Sequence, residues 1–386
     1  MKTNSSGRKG RFSAFLKKYA NFIFFAAVAL ITVIVLQRNV DYNEFVSILH
    51  ESNLSFLAVV LLFMILYWLL EAYMLQSLIR HDYPEESFGH SFTLTMIGQY
   101  YNLITPGASG GQPLQLLEMT SRGISAGFGT AVLVQKYALY QLSVTLIGIT
   151  GCLINYQMIA SWHGLSKAMI VFGLMINILG SLAVVIVSLY PNFARIVARW
   201  CVKAGAKMRL VKDPEKTYKK ADHFVAEYEV AISALKDRLR ETAWLFAVNL
   251  FAVTIYFCIT YWIYRALGLN EMNAFQIIAV QSVLYLVFTF IPLPGGSGGA
   301  EIGFTLIFGS IFGPAKTSVA MVIWRIITFY FVLCAGGIYV SLHSLFNPYM
   351  KRKKLSSTRK DTAPEPETSG GQFERNRQQH HHRDNR

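Results

Sequence analysis

Four long stretches of this chain contain no charged residue: Tyr19–Leu36, Ala168–Tyr190, Thr242–Tyr264 and Ile326–Tyr349. An apolar run of about 18 or more residues is long enough to cross the hydrocarbon core of a bilayer as a helix. The composition agrees, because 53% of the 386 residues are hydrophobic and only 15% are charged, whereas roughly a quarter are charged in soluble domains. The sequence therefore predicts an all-α polytopic membrane protein.

The apolar runs and the loop charges together predict a topology. We predict six full transmembrane helices, at about residues 19–37, 54–76, 126–155, 167–190, 242–264 and 317–344. Cytoplasmic loops of membrane proteins are enriched in Lys and Arg. The basic segment 1–18 and the insert at about 191–241, with 12 Lys and Arg residues against seven Asp and Glu, are therefore predicted to be cytoplasmic. Both termini then lie in the cytoplasm, and residues 347–386 are predicted to form a disordered tail.

The formal net charge of +14 lies mostly in segments that flank the predicted spans. There it sets topology and contacts anionic lipid headgroups at the cytoplasmic face, so nucleic-acid binding is not predicted. The four cysteines form no CxxC or Cys/His pattern, and we predict no disulfide framework, no metal site and no cofactor. No pattern of catalytic residues is recognisable, and the catalytic residues, if any, are unknown.

Two further apolar stretches, Ser87–Leu117 and Ala274–Ala300, are each interrupted by a Pro/Gly cluster. The cluster PGASGG begins at Pro106, and the cluster PGGSGG begins at Pro294, 188 residues later. One basic residue lies in an apolar helix 30 residues after the first proline, and another lies 31 residues after the second. We interpret this matched spacing as an internal duplication.

Each copy of the duplication has three crossings, so the second copy is predicted to be inverted in the membrane. The first copy covers residues 19–160, with a re-entrant hairpin at about 91–120, and the second covers 161–346, with a hairpin at about 274–312. Proline ends the first arm of each hairpin and the glycines permit a reversal. The N–H groups that begin each second arm would point at the break, where the helix dipole favours an anion. Inverted repeats with broken helices are typical of secondary transporters.

The predicted substrate-binding residues lie at the two breaks and on the helices that follow them. They are Asn102, Pro106, Gly107, Ser109, Gly110, Gly111, Gln112, Lys136, Pro294, Gly295, Gly296, Ser297, Gly298, Gly299, Glu301 and Arg325.

Other roles remain open for several of these residues. The glycine clusters equally fit close packing between helices. Lys136 and Arg325 are expected to face an internal polar cavity, because charge inside the membrane is costly and usually functional, but snorkelling to an interface is the alternative. Glu301 fits either a helix cap or a functional role. Glu71 and Glu118 lie near predicted interfaces and are weaker candidates.

The segments Asn102–Pro113 and Ile291–Glu301 resemble the two signatures of the lysylphosphatidylglycerol synthase transmembrane (flippase-like) family. That family includes the membrane half of the bacterial multiple peptide resistance factor, and the similarity covers about residues 10–345. The resemblance implies a multi-pass protein of the bacterial plasma membrane. It also implies transport of anionic or aminoacylated phospholipid such as lysyl-phosphatidylglycerol, and a link to antibiotic resistance.

In the full-length resistance factor, a cytosolic synthase domain transfers lysine from lysyl-tRNA to phosphatidylglycerol. Only residues 345–386 follow the last predicted span here, and domains usually need 50 or more residues. We therefore expect a lipid translocator that works on membrane phospholipid, with a separate synthase protein as a possible partner, and not an enzyme. The alternatives are a phosphatidylglycerol lysyltransferase and a transporter of a small soluble anion. Only the lysyltransferase would have tRNA as a partner.

Overall fold

The computed structural model describes residues 42–161, 165–190, 195–196, 199–200, 202–203, 214–236, 238–288, 294–296 and 298–346. Every regular element in these ranges is a helix or a helical turn, which confirms the all-α prediction. The chain divides after Val340 into two units. The described part of the second unit, Ser341–Phe346, is helical, and all packing reported below lies in the first. The predicted first span, the basic N-terminus and the tail lie outside the described residues.

The structure describes thirteen α-helices in these ranges. They are α1 (Tyr42–Glu51), α2 (Leu54–Arg80), α3 (Phe88–Ile104), α4 (Gly111–Ser121), α5 (Ala126–Ile154), α6 (Tyr156–Ser161), α7 (Leu165–Leu189), α8 (Pro214–Lys236), α9 (Leu239–Ala266), α10 (Ala274–Phe288), α11 (Gly299–Phe312), α12 (Pro314–Arg325) and α13 (Val332–Phe346). A π-helical segment, Ile326–Phe331, joins α12 to α13.

Four helices in the described ranges are long and apolar enough to cross a membrane: Ser55–Arg80, Ala126–Ile154, Leu239–Ala266 and Pro314–Leu345. They match the predicted spans at 54–76, 126–155, 242–264 and 317–344. Helix α7 covers the predicted span at 167–190, but its apolar part, Ile170–Ile186, is shorter than the other four. The structure therefore supports a membrane protein with several apolar helices.

The starts of two long helices are set by side-chain caps. Asn53 Oδ1 accepts a hydrogen bond from the Ser55 N–H at 3.0 Å where α2 begins, and Ser125 Oγ accepts one from the Phe128 N–H at 3.3 Å where α5 begins. Such caps satisfy N–H groups that have no partner inside the helix. The boundary of α5 therefore coincides with the predicted one, because Ser125 directly precedes the apolar run.

Helices α3, α4, α10 and α11 form two broken hairpins. Their 17, 11, 15 and 14 residues correspond to roughly 16–26 Å at about 1.5 Å per residue, which is shorter than a hydrocarbon core of about 30 Å. Each hairpin reverses through a 3₁₀ turn, Pro106–Ala108 in the first and Pro294–Gly296 in the second. These two turns contact each other.

The long helices pack around the two hairpins. Helix α2 lies along α9, and α5 packs against α7, α8, α9 and α10. Trp68 on α2 stacks on Phe331 of the π-helical segment, with ring centroids 5.4 Å apart. In the basic insert, Glu227 on α8 accepts a hydrogen bond from the Gly127 N–H at 3.1 Å. Helix α8 is thereby attached to the N-terminus of α5, the helix that carries Lys136.

Candidate functional site

The first turn is closed by side chains of its own hairpin. Thr105 Oγ1 accepts a hydrogen bond from the Gly110 N–H at 2.8 Å, and Asn102 Oδ1 accepts one from the Gly111 N–H at 3.0 Å. The Ser109 hydroxyl donates to a carbonyl oxygen of the same turn at 2.9 Å. These groups already have partners within the hairpin, so they are not the free donors that the sequence predicts for an anion.

Glycine is required in this turn by space as well as by backbone conformation. A Cβ atom on Gly111 would overlap the Asn102 side chain and would lie 2.7 Å from the Gly98 carbonyl oxygen. Gly107 has a φ of +61°, in the left-handed region that glycine adopts without steric cost. Close packing, the alternative interpretation of the cluster, therefore accounts for Gly111, whereas the positive φ accounts for Gly107.

The second turn has a similar backbone but a different cap. Gly295 and Gly296 have φ angles of +60° and +64°. Glu301 Oε2 accepts a hydrogen bond from the Gly298 N–H at 2.6 Å, so this carboxylate caps the start of α11. Ser297 lies outside the described residues. The cap role considered for Glu301 is thus present, and its second carboxylate oxygen is left for another partner.

That partner is Arg325, whose guanidinium is surrounded by protein groups. Its Nε lies 2.8 Å from Glu301 Oε1, an ion pair outside hydrogen-bond geometry. Its Nη1 donates to Gly295 O at 3.0 Å and its Nη2 to Gly296 O at 3.4 Å. The guanidinium carbon also lies 5.5 Å from the centre of the Phe329 ring, within the range of a cation–π contact. Arg325 therefore holds the second turn against α11 and the π-helical segment.

Among the described residues, Lys136 is held by a single ion pair, in contrast to the several contacts of Arg325. Its ammonium forms an ion pair with Glu71, which joins α5 to α2. The Lys136 side chain is 14% exposed, whereas those of Glu71, Arg325 and Glu301 are 6%, 5% and 4% exposed. Snorkelling is excluded for this conformation, since the ammonium meets a buried carboxylate. Both intramembrane cations thus have a buried acidic partner, and the two pairs together carry no net charge.

Both turns and both cations meet at one cavity of about 650 Å³. Eight of the predicted site residues line it: Asn102, Gly107, Ser109, Gln112, Lys136, Gly295, Gly296 and Arg325. Gly110, Gly111, Gly298, Gly299 and Glu301 belong to the supporting turns and helix starts. The cavity is large enough for a phospholipid headgroup, and its polar wall is enclosed by apolar helices.

Part of the cavity wall was not among the predicted site residues. Glu71, considered only as a weaker candidate from the sequence, lines it. A group of tyrosines, which the sequence does not distinguish from interfacial aromatic residues, also lines it: Tyr67, Tyr137, Tyr140, Tyr256 and Tyr285. Glu118 on α4, by contrast, pairs at 3.4 Å with Arg122, which directly follows the end of that helix. Among the described residues no group of three His, Cys, Asp or Glu side chains is arranged to hold a metal ion.

The family model described as the lysylphosphatidylglycerol synthase TM region matches residues 22–336 of this chain. The chain belongs to this family. The resemblance drawn from the two Pro/Gly clusters is thereby confirmed, because the matched range contains both. The family is defined on the membrane region, in agreement with the apolar helices described above.

One curated relative of this chain is the UPF0104 membrane protein of Archaeoglobus fulgidus. The two sequences are 24% identical over 320 residues, which cover 80% of this chain and 92% of the relative. The similarity therefore extends over nearly the whole of the relative. The relative is also named as a membrane protein.

Proposed function

We propose that this family member moves the polar headgroup of an anionic or aminoacylated phospholipid, such as lysyl-phosphatidylglycerol, between the two leaflets of a membrane. The observation that carries the proposal is the cavity of about 650 Å³ beside two broken hairpins, with Lys136 in its wall. A cation at such a place is costly in a membrane and usually serves a polar substrate. The phosphate of the headgroup would pair with Lys136.

An inverted repeat would let the cavity open to either side. In such a repeat the two hairpins would enter from opposite faces, as in transporters with broken helices, and their turns would meet beside the substrate site, where the two turns do contact each other. The predicted orientation, with both termini cytoplasmic, places the first hairpin on the cytoplasmic side. Rocking of one repeat against the other would then expose the headgroup alternately to each leaflet.

An aminoacyl-transfer reaction is less well supported. The buried cluster at the start of α3 contains Glu86, His90 and Ser91, the residue types of a catalytic triad. However, the Ser91 hydroxyl donates to Glu86 Oε1 at 2.6 Å, while His90 Nδ1 lies 2.8 Å from Glu86 Oε2 and His90 Nε2 has no partner. A triad requires the serine to donate to the histidine, so this arrangement does not activate a nucleophile.

The proposal is tested by flipping of fluorescent phosphatidylglycerol in proteoliposomes. Lys136→Met is made in a Glu71→Gln background, so that no ionised carboxylate is left buried without a partner. We expect the rate to fall about tenfold or more relative to Glu71→Gln alone. A hydrogen bond to a charged group contributes about 1.5–3 kcal/mol, and 1.4 kcal/mol corresponds to tenfold.

Lys219→Met is the matched control, because Lys219 is an exposed lysine on α8 outside the cavity. It should leave flipping unchanged. Unchanged flipping in a folded Glu71→Gln/Lys136→Met protein would exclude the cavity as the headgroup path. Lysyl-phosphatidylglycerol and a soluble organic phosphate, assayed in parallel, separate the aminoacylated lipid and the soluble-anion alternative from plain phosphatidylglycerol.

A further inference from the structure

The charges of the cavity are balanced before any headgroup enters. Lys136 pairs with Glu71 and Arg325 pairs with Glu301, and all four side chains are largely buried. The phosphate of a headgroup that carries no cation of its own, as in phosphatidylglycerol, would add one negative charge to this cavity. An extra buried charge without a partner is strongly unfavourable, so the cavity must gain a positive charge or lose a negative one when the phosphate binds.

The two ion pairs differ in how easily they can exchange a partner. Arg325 is held by Glu301, by the carbonyl oxygens of both turn glycines and by two aromatic rings. Lys136 is held by Glu71 on a neighbouring helix, and it is the more exposed of the two cations. A phosphate that enters the cavity therefore meets Lys136 as the exchangeable cation, and it would displace Glu71.

We propose that Glu71 is a proton-binding site coupled to the headgroup: the phosphate replaces Glu71 on Lys136, and the released carboxylate takes up one proton. The inference rests on the proposed function. One O–H bond forms, no electrons are transferred, and the proton comes from water at the cavity entrance. The four side chains and the phosphate then again sum to zero charge, so headgroup and proton would cross together without net charge movement.

The groups that face Glu71 explain why a proton is needed. Both cations of the cavity wall already have a partner in this state, since Lys136 would bind the phosphate and Arg325 is held by Glu301. Helix α3 adds only uncharged side chains to the wall. The remaining titratable groups of the wall are tyrosine hydroxyls from α2, α5, α9 and α10: Tyr67, Tyr137, Tyr140, Tyr256 and Tyr285. Hydroxyls donate hydrogen bonds but supply no positive charge.

Isothermal titration of the full-length protein in detergent with dioctanoyl-phosphatidylglycerol tests the proposal. Binding heats are compared in two buffers of different ionisation enthalpy at one pH, which counts the protons taken up. We expect the unmodified protein to take up about one proton per bound lipid. In the pH range where a full proton is taken up, the affinity should fall about tenfold for each unit rise in pH. Glu71→Gln should bind the lipid with no proton uptake and no such pH dependence.

Glu271→Gln is the control, because Glu271 is an exposed carboxylate outside the cavity, and it should still take up one proton. Binding without proton uptake by the unmodified protein would overturn the coupling even if Glu71→Gln failed to fold, and it would leave the translocator proposal standing. No detectable binding of dioctanoyl-phosphatidylglycerol would contradict the translocator proposal itself. Glycerol phosphate, titrated separately, distinguishes a lipid headgroup from a soluble phosphate. If glycerol phosphate binds with uptake of one proton and the lipid does not bind, the coupling is supported but the site belongs to a soluble anion.

Discussion

Replacement of Arg325 by alanine is expected to lower the free energy of unfolding by about 3–5 kcal/mol, because removal of one partner of a buried ion pair leaves the other charge uncompensated. The orphaned group would be Glu301, whose side chain is 4% exposed. The carbonyl oxygens of Gly295 and Gly296 would also lose their donors. The measurement is thermal or denaturant unfolding of the purified protein in detergent.

Two comparisons separate the charge effect from a simple loss of side-chain volume. Arg325→Met combined with Glu301→Gln should cost less than Arg325→Ala, because no charge then remains unpaired while the glutamine can still cap Gly298. Arg199→Ala should cost no more than about 1 kcal/mol, as is typical of exposed ion pairs, because Arg199 and its partner Asp222 are 59% and 48% exposed. A loss of equal size at Arg199 and Arg325 would contradict the structural role assigned to Arg325.

The helices of this fold could be predicted from local features. Long charge-free runs locate the spans, because the hydrocarbon core requires continuous apolar helices. The Pro/Gly clusters locate the reversals, because proline removes an N–H donor and glycine permits positive φ angles. Both rules depend on residues close together in sequence, and the observed helices agree with them within a few residues in the described ranges.

The partners of the polar groups could not be predicted in the same way. Whether a helix N-terminus is open to an anion depends on the side chains that reach it in three dimensions. Asn102 caps an N–H nine residues later in the chain, and Glu71 reaches Lys136 across 65 positions. The matched spacing of the repeat predicted equal roles for Lys136 and Arg325. In the structure one pair has several supporting contacts and the other has few, a difference that comes from tertiary packing.

Gly107 and Gly295 occupy the same position in the two Pro/Gly clusters but should respond differently to alanine. Their φ angles are +61° and +60°, so either substitution carries a backbone strain of about 1–2 kcal/mol. A Cβ on Gly107 would meet no atom within 4 Å, whereas one on Gly295 would overlap the Phe329 ring. Phe329 is buried, and relief of such overpacking costs about 1–3 kcal/mol more. Unfolding of Gly295→Ala should therefore require about 2–5 kcal/mol less free energy than that of the unmodified protein.

A double-mutant cycle identifies the source of the difference. When Gly295→Ala is made in a Phe329→Leu background, the steric part should largely disappear, and the remaining loss should approach that of Gly107→Ala. The strain at φ of about +60° is common to both turns, so it should persist in every background. Equal losses for Gly107→Ala and Gly295→Ala in the unmodified protein would show that Phe329 does not press on the second turn. The contact that places this turn beside Arg325 would then have to be revised.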